Sequence, residues 1–188
     1  MTILVAVEKG PELVLAADTK TSFDMHTLPI ENLRAEKIME AGEAVLGCAG
    51  WALYGNLLED YLRDKKKIAL GSRQEVFRFF LKFWEDLREH YSFVEDRAAD
   101  EDTPFADLDS EFLIVHPGGI FHVASHLTVS RIQRFFAIGA GADYALGALQ
   151  VLYHQEFDAE ALARKAVETA MAFCSDCGGP VDLRKLAR

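Results

Sequence analysis

The amino-acid sequence predicts an α+β fold in which two stacked antiparallel sheets lie between two helix layers. Short apolar runs rich in β-branched residues come in pairs with turn residues between them, the mark of hairpins. Amphipathic segments of helical period fall in two separate blocks. The order is therefore strands, two helices, strands, two helices. Runs of each kind, rather than alternation, argue for antiparallel sheets and against βαβ units.

The first run, Ile3 to Val7, is continuous and apolar, and Gly10 and Pro11 separate it from Leu13 to Ala17, which ends at Asp18. Near-continuous hydrophobicity predicts strands covered on both faces. The polar stretch from Thr19 to Asn32, with Pro29, reads as a loop with room for one short strand. Lys37 to Met39, Gly42 as the turn, and Ala44 to Gly50 form a second hairpin. Then the period changes. Leu53, Tyr54, Leu57, Leu58, Tyr61 and Leu62 mark a helix, and Val76, Phe77, Phe80, Leu81, Trp84 and Leu87 a second one within Gln74 to Tyr91. Residues 95–111 are acidic with little apolar content and read as a solvated loop. EFLIVH and IFHVAS, joined by Pro117, Gly118 and Gly119, form a third hairpin, and Arg134 to Ala140 another strand. Two helices follow, Ala142 to His154 and one from Ala159 with Asp158 as its N-cap. Gly178, Gly179 and Pro180 are expected to stop the last helix, and Val181 to Leu183 to form a short strand.

At 188 residues, half of them hydrophobic and 27% charged, the chain has the size and composition of one globular domain, residues 1–188. No apolar run approaches the roughly 20 residues that a bilayer crossing needs, so no membrane partner is expected. Three cysteines and no secretory pattern point to a reducing, cytoplasmic compartment. A net charge of −10 argues against nucleic acid as a partner.

Four features bear on chemistry. Removal of Met1 would leave Thr2 with a hydroxyl and a free α-amine on one residue, and such an amine, titrating near 8, can act as the base that makes the hydroxyl a nucleophile. By itself Thr2 says little, because many proteins begin Met-Thr. Asp18 ends one strand and Lys37 precedes another, so both can lie at one end of a sheet, either as an ion pair of structural use or as the source of positive potential beside Thr2. Gly139-Ala140-Gly141 lies between a strand and a helix like a phosphate-binding turn, but Tyr144 holds the third glycine position, and close helix–strand packing is the better reading. Cys174 and Cys177 form a lone CxxC, too few ligands for structural zinc and near a helix C-terminus instead of an N-terminus, so they read as packing residues. No metal or other cofactor is expected.

Taken together, these segments resemble the proteasome β-subunit family, in particular its HslV-type peptidases and smaller bacterial proteasome homologues. TILVAV and LVLAAD resemble the family's opening hairpin, with Asp18 sixteen positions after Thr2. AEKIMEA resembles the segment with the family's lysine, GCAG its oxyanion-loop glycine, and FAIGAGADYALGAL its strand–GSG–helix segment. The last helix and GGPVDL resemble the family's C-terminal helix and the strand after it.

The resemblance implies an N-terminal nucleophile hydrolase with a four-layer αββα sandwich. It implies a threonine endopeptidase in which Thr2 is the nucleophile, Lys37 lowers the local pKa, Asp18 orients Lys37, and the Gly50 backbone N–H holds the oxyanion. It places Cys48 at the pocket for the residue before the scissile bond and has Ser22 pair its backbone with an extended peptide. Ala140, Cys174 and Cys177 fall where the family supports the terminal amine. Ala140 replaces a serine there, and Cys177 also lacks the family's hydroxyl. Its implied partners are a peptide or unfolded protein as substrate, copies of the chain in stacked rings, and an ATP-driven unfoldase. The competing readings are a catalytically silent ring subunit of the same fold and a nucleotide-binding module built on Gly139–Gly141.

Overall fold

A computed structural model describes residues 1–23, 26, 27, 29, 31–63, 65, 67–91 and 108–188. The opening hairpin is β1 (Ile3–Lys9) and β2 (Glu12–Ala17), followed by the two-residue strands β3 (Ser22–Phe23) and β4 (His26–Thr27). The second hairpin is β5 (Ile38–Ala41) and β6 (Ala44–Gly50), and the first helix pair is α1 (Ala52–Arg63) and α2 (Arg73–His90). Then come β7 (Ser110–His116), β8 (Gly119–Val123), β9 (Val129–Ile132) and β10 (Phe135–Gly139). The chain closes with α3 (Ala142–Leu152), α4 (Ala159–Phe173) and β11 (Asp182–Ala187).

The strands form a four-stranded sheet in the order β10-β1-β2-β11 and a five-stranded sheet in the order β5-β6-β7-β8-β9, with every pairing antiparallel. Side-chain alternation sorts each strand between two cores. Ile3, Val5, Val7, Val14 and Ala16 face α3 and α4, whereas Leu4, Ala6, Leu13 and Leu15 face the opposite sheet. On the five-stranded sheet, Leu46, Phe112, Ile114 and Phe121 lie under α1 and α2, and Val45, Leu113, Val115 and Ile120 meet the other sheet. Both faces of both sheets are thus apolar. The result is the four-layer αββα sandwich.

The two helix layers use different chemistry. Helix α4 presents Ala159, Ala163, Ala166 and Ala170, a stripe of small side chains that lets it approach β1 and β2 closely. Helix α2 instead buries Val76, Phe80, Phe83, Trp84 and Leu87, with the Phe80 ring 4.7 Å from that of Phe112. Its buried stripe therefore includes Phe83, while Phe77 and Leu81, expected on it, stay 43% and 36% exposed. Two helices start on side-chain caps, Ser72 accepting from the Glu75 N–H and Asp158 from the Ala161 N–H, whereas Gly141 at the start of α3 makes no such bond.

Several boundaries differ from the sequence expectation. Helix α4 ends at Phe173, with Cys174 as its C-cap, before the Gly-Gly-Pro stretch. Strand β11 begins at Asp182 and runs to Ala187, and it is an edge strand, half-covered, not buried on both faces. Strand β9 was not anticipated, since Ser130 and Arg131 break its apolar pattern. The acidic segment ends earlier than expected, because Ser110 and Glu111 already belong to β7; residues 95–107 lie outside the described residues. Among the described residues no helix is long and apolar enough to cross a membrane.

Phe80→Ala should lower the unfolding free energy by about 3–5 kcal/mol, because the emptied site is walled by the rigid β7 and cannot collapse onto it. Equilibrium urea unfolding measures this, and a loss below about 1 kcal/mol would contradict the assigned core.

Candidate active site

The site forms where the ends of the two sheets converge. Asp18 follows β2 and is 0% exposed. Its Oδ1 accepts the Ile3 N–H at 3.0 Å and the Lys37 ammonium at 2.7 Å, and its Oδ2 accepts the Gly178 N–H at 3.0 Å. A buried carboxylate is tolerable only with such partners, and here three donors from three distant segments supply them. Lys37 keeps 9% of its side chain exposed and also donates to the Met1 carbonyl at 2.9 Å. The cation therefore sits at the peptide bond between Met1 and Thr2.

Thr2 is held from the other side. The Ala140 N–H donates to the Thr2 carbonyl at 2.9 Å. Gly139 has φ of 99°, and a Cβ there would strike the Thr2 carbonyl oxygen, so the position admits only glycine. Gly141 is equally confined, since its Cβ would lie 2.8 Å from that of Ala170 and 3.1 Å from the Cys177 sulfur. The strand–glycine–helix segment thus serves close packing around Thr2.

Gly50 ends β6 with φ of 143°, and a Cβ there would strike the Asp109 carbonyl and Ser110. Thr2, Gly50, Ser110, Glu111, Ala140 and Ala142 are among the residues around a cleft of about 610 Å³. Asp109, Ser110 and Glu111 are wall residues that composition concealed, because their acidic neighbours read as solvated loop. The Gly178 donor was equally hidden, lying 160 residues from Asp18.

The cysteines divide. Cys177 is 5% exposed, and its amide donates to the Cys174 carbonyl at 3.1 Å, closing the turn that delivers Gly178 to Asp18. Burial, a hydrogen bond with Cys174 and the Asp18 charge push the Cys177 thiol up to about 12. All three cysteines are free thiols. Cys48 does not reach the cleft wall; it faces α1 and α2 with Leu46, and burial pushes its thiol up to about 12, offset only in part by the Ser110 hydroxyl. The backbone of Ser22 pairs with Thr27 in the β3–β4 hairpin. Among the described residues one trio, Asp86, Glu89 and His90 on α2, clusters as metal ligands can, but Asp86 already binds Lys82 at 2.8 Å.

No protein-family model matches the chain. The ATP-dependent protease subunit HslV of Caldicellulosiruptor saccharolyticus is 23% identical over 175 residues, covering 92% of this chain and 91% of that one. The structure of Thiobacillus denitrificans BPH in complex with epoxomicin superposes with a TM-score of 0.89 at 30% identity, covering 98% of each chain. The chain belongs to the HslV and proteasome β-subunit family. Eukaryotic HslV from Trypanosoma brucei, at 19% identity and a TM-score of 0.67 over 99% of each chain, shares the fold of this HslV-type chain. Family membership accounts for the N-terminal nucleophile hydrolase architecture, in which the first strand begins beside an anion and a cation.

Thiols raised to about 12 are almost wholly protonated at pH 8, and alkylation requires the thiolate. Cys48 and Cys177 should therefore resist iodoacetamide at pH 8 in the folded protein and react in urea, as read by peptide mass mapping. Prompt labelling of Cys177 in the native state would contradict its assigned burial, and prompt labelling of the half-buried Cys48 would contradict its raised pKa.

Proposed function

We propose that the chain is a threonine peptidase subunit of a ring-shaped, self-compartmentalised complex. Cleavage before Thr2 frees its α-amine, which takes the hydroxyl proton directly or through a water as Thr2 Oγ1 attacks a peptide carbonyl. A cation beside the amine favours its neutral form, so that much of it can accept a proton near neutral pH. Lys37 supplies this cation and Asp18 fixes its position. The Gly50 N–H stabilises the tetrahedral oxyanion, a contribution of about 10²–10³ in rate. The amine nitrogen then passes its proton to the leaving amine, and a water hydrolyses the ester on Thr2.

One observation carries this reading: the Lys37 ammonium binds Asp18 at 2.7 Å and the Met1 carbonyl at 2.9 Å, at the bond whose cleavage creates the nucleophile. Ala140 offers the new amine a backbone but no hydroxyl. The buried turn at Cys174–Cys177 supports Asp18 through Gly178, so its role toward the amine is indirect. Cys48, facing the helix layer, acts on the substrate pocket only from beneath. The substrate is an extended peptide or unfolded protein that pairs with the backbone near Ser22. Because the curated relatives are named as subunits of an ATP-dependent protease, an ATP-driven unfoldase is the proposed delivery partner. Confinement of the sites in a chamber is what makes so unselective a chemistry safe.

Thr2→Ala should lower kcat/KM for peptide hydrolysis by more than about 10³ while leaving the oligomer intact, and Thr2→Ser should retain part of the activity. Intact-mass measurement should find Met1 lost and one adduct per chain with epoxomicin, the ligand held by the Thiobacillus relative. Unchanged turnover in Thr2→Ala, or an adduct mapped elsewhere, rejects Thr2 as the nucleophile.

A further inference from the structure

The residue after Asp18 is bonded to both segments that serve Asp18. Thr19 is buried; its amide donates to the Gly178 carbonyl at 3.1 Å and its hydroxyl to the Pro180 carbonyl at 2.8 Å. Its own carbonyl accepts the Ala35 N–H at 3.1 Å, two residues ahead of Lys37. One residue thus holds the stretch that sends the Gly178 N–H to Asp18 Oδ2 and the stretch that brings the Lys37 ammonium to Asp18 Oδ1.

Two of these three bonds belong to the backbone, and any residue at this position could make them. The hydroxyl bond alone depends on the side chain, and it falls on a stretch that needs it. Gly178 and Gly179 have the conformational freedom of glycine, with Gly179 at φ of 82°, so bonds from outside must set the course of the chain there. Thr19 ties the carbonyls on either side of Gly179 and so aims the Gly178 N–H that Asp18 receives. A buried threonine beside a strand is more often a packing residue with a satisfied hydroxyl. Here, however, the hydroxyl acts two residues from an amide that bonds the buried carboxylate.

We propose that Thr19 is a positioning residue: its hydroxyl holds the Gly178 amide on Asp18 and thereby keeps the Lys37 cation directed at the Thr2 amine. The proposal rests on the peptidase reading and adds to it a residue that touches neither substrate nor nucleophile. Without the hydroxyl, the 178–180 stretch keeps one tie in place of two, and the Gly178 N–H bonds Asp18 less well. Asp18 then concentrates its charge on Lys37, the field of the ammonium at the Thr2 amine weakens, and the amine becomes more basic. An amine must be neutral to take the hydroxyl proton, so the acid limb of the rate profile moves to higher pH. The other charged or titratable groups described around the site are the Cys177 thiol, which faces Asp18 and Lys37, the Asp109 and Glu111 carboxylates of the cleft wall, and Lys20, which donates to the Ser175 carbonyl. The Thr19 hydroxyl bonds none of them, so its removal reaches the amine through Asp18 and Lys37.

The test uses the full chain after loss of Met1 and compares it with Thr19→Val, which keeps the shape and drops the donor, and Thr19→Ser, which keeps the donor. The pH profile of kcat/KM is read with one fluorogenic peptide, together with the melting temperature of each variant. In Thr19→Val the acid limb should move up by about 0.5–1 pH unit, a three- to tenfold loss on the limb and little loss above it. Thr19→Ser should restore the wild-type limb. A purely structural role would lower the melting temperature and leave the limb in place, so a Thr19→Val limb within about 0.2 unit of wild type overturns the proposal. A Thr19→Ser limb shifted as far as that of Thr19→Val overturns it too. Should Thr19→Val fail to assemble, Thr19→Cys, a weaker donor of similar size, replaces it with a smaller shift in the same direction expected; failure of both to assemble assigns Thr19 to folding and overturns its role toward the amine. Where the wild-type chain takes epoxomicin on Thr2 but turns over no peptide, the labelling rate against pH reads the same limb. Wild-type chain that neither labels nor cleaves overturns the peptidase reading beneath the proposal.

Discussion

The arrangement depends on one buried carboxylate. Asp18 joins the start of β1, the lysine ahead of β5 and the turn after α4, three segments distant in sequence that meet at its carboxylate. Removing any donor would leave negative charge in the interior with fewer partners, which costs more than the pair itself contributes. The next residue reinforces the knot: Thr19 donates its hydroxyl to the Pro180 carbonyl at 2.8 Å and its amide to the Gly178 carbonyl at 3.1 Å. The first residues of the chain are thereby as fixed as an interior strand. A nucleophile at a chain terminus needs that constraint, since free termini ordinarily fray.

Close approach of the two sheets is the second requirement, and it is met by absent side chains. A Cβ on Gly47 would lie 2.6 Å from Leu4 Cδ2, so β6 can cross β1 only as glycine. A Cβ on Gly139 would reach within 3.4 Å of the Ala49 Cβ, so the end of β10 lies beside the end of β6. Thr2 from one sheet and Gly50 from the other then border one cleft. Large aromatic side chains fill the layer under α2, whereas α4 meets its sheet through a run of alanines.

What the sequence disclosed follows the range of the forces involved. The β1–β2 and β5–β6 hairpins, α1 and the Asp158 cap were legible because local patterning and turn chemistry dictate them. The pairing of Asp18 with Lys37 was legible from both residues standing at strand ends. Strand β9 was hidden because edge strands need no continuous apolar face, and its Ser130 and Arg131 look like loop. The early end of α4 was hidden because Cys174 carries no stop signal, whereas Gly178 does; the glycine serves instead to free an amide for Asp18. Cys48 was assigned to the substrate side by motif, but alternation along β6 turns it toward the helices, since Ala49 and Gly50 take the cleft. Glu111 was grouped with its acidic neighbours by composition, though its strand neighbours Phe112 to Val115 decide its structure.

On the proposed reading, the position of Lys37 gives one group two successive tasks. While Met1 is attached, the ammonium is shared between Asp18 and the Met1 carbonyl, and it is part of what holds the N-terminus in place. On the proposed reading, cleavage removes the carbonyl but not the lysine, whose remaining partner is a carboxylate also engaged by two backbone amides. Because Asp18 divides its charge among three donors, it neutralises the ammonium incompletely, and the residual positive field falls where the new amine appears. A lysine paired with an otherwise unbonded carboxylate would be screened far better. The extra backbone donors on Asp18 keep the anion buried and oriented, and on the proposed reading they also leave the cation free to act on Thr2.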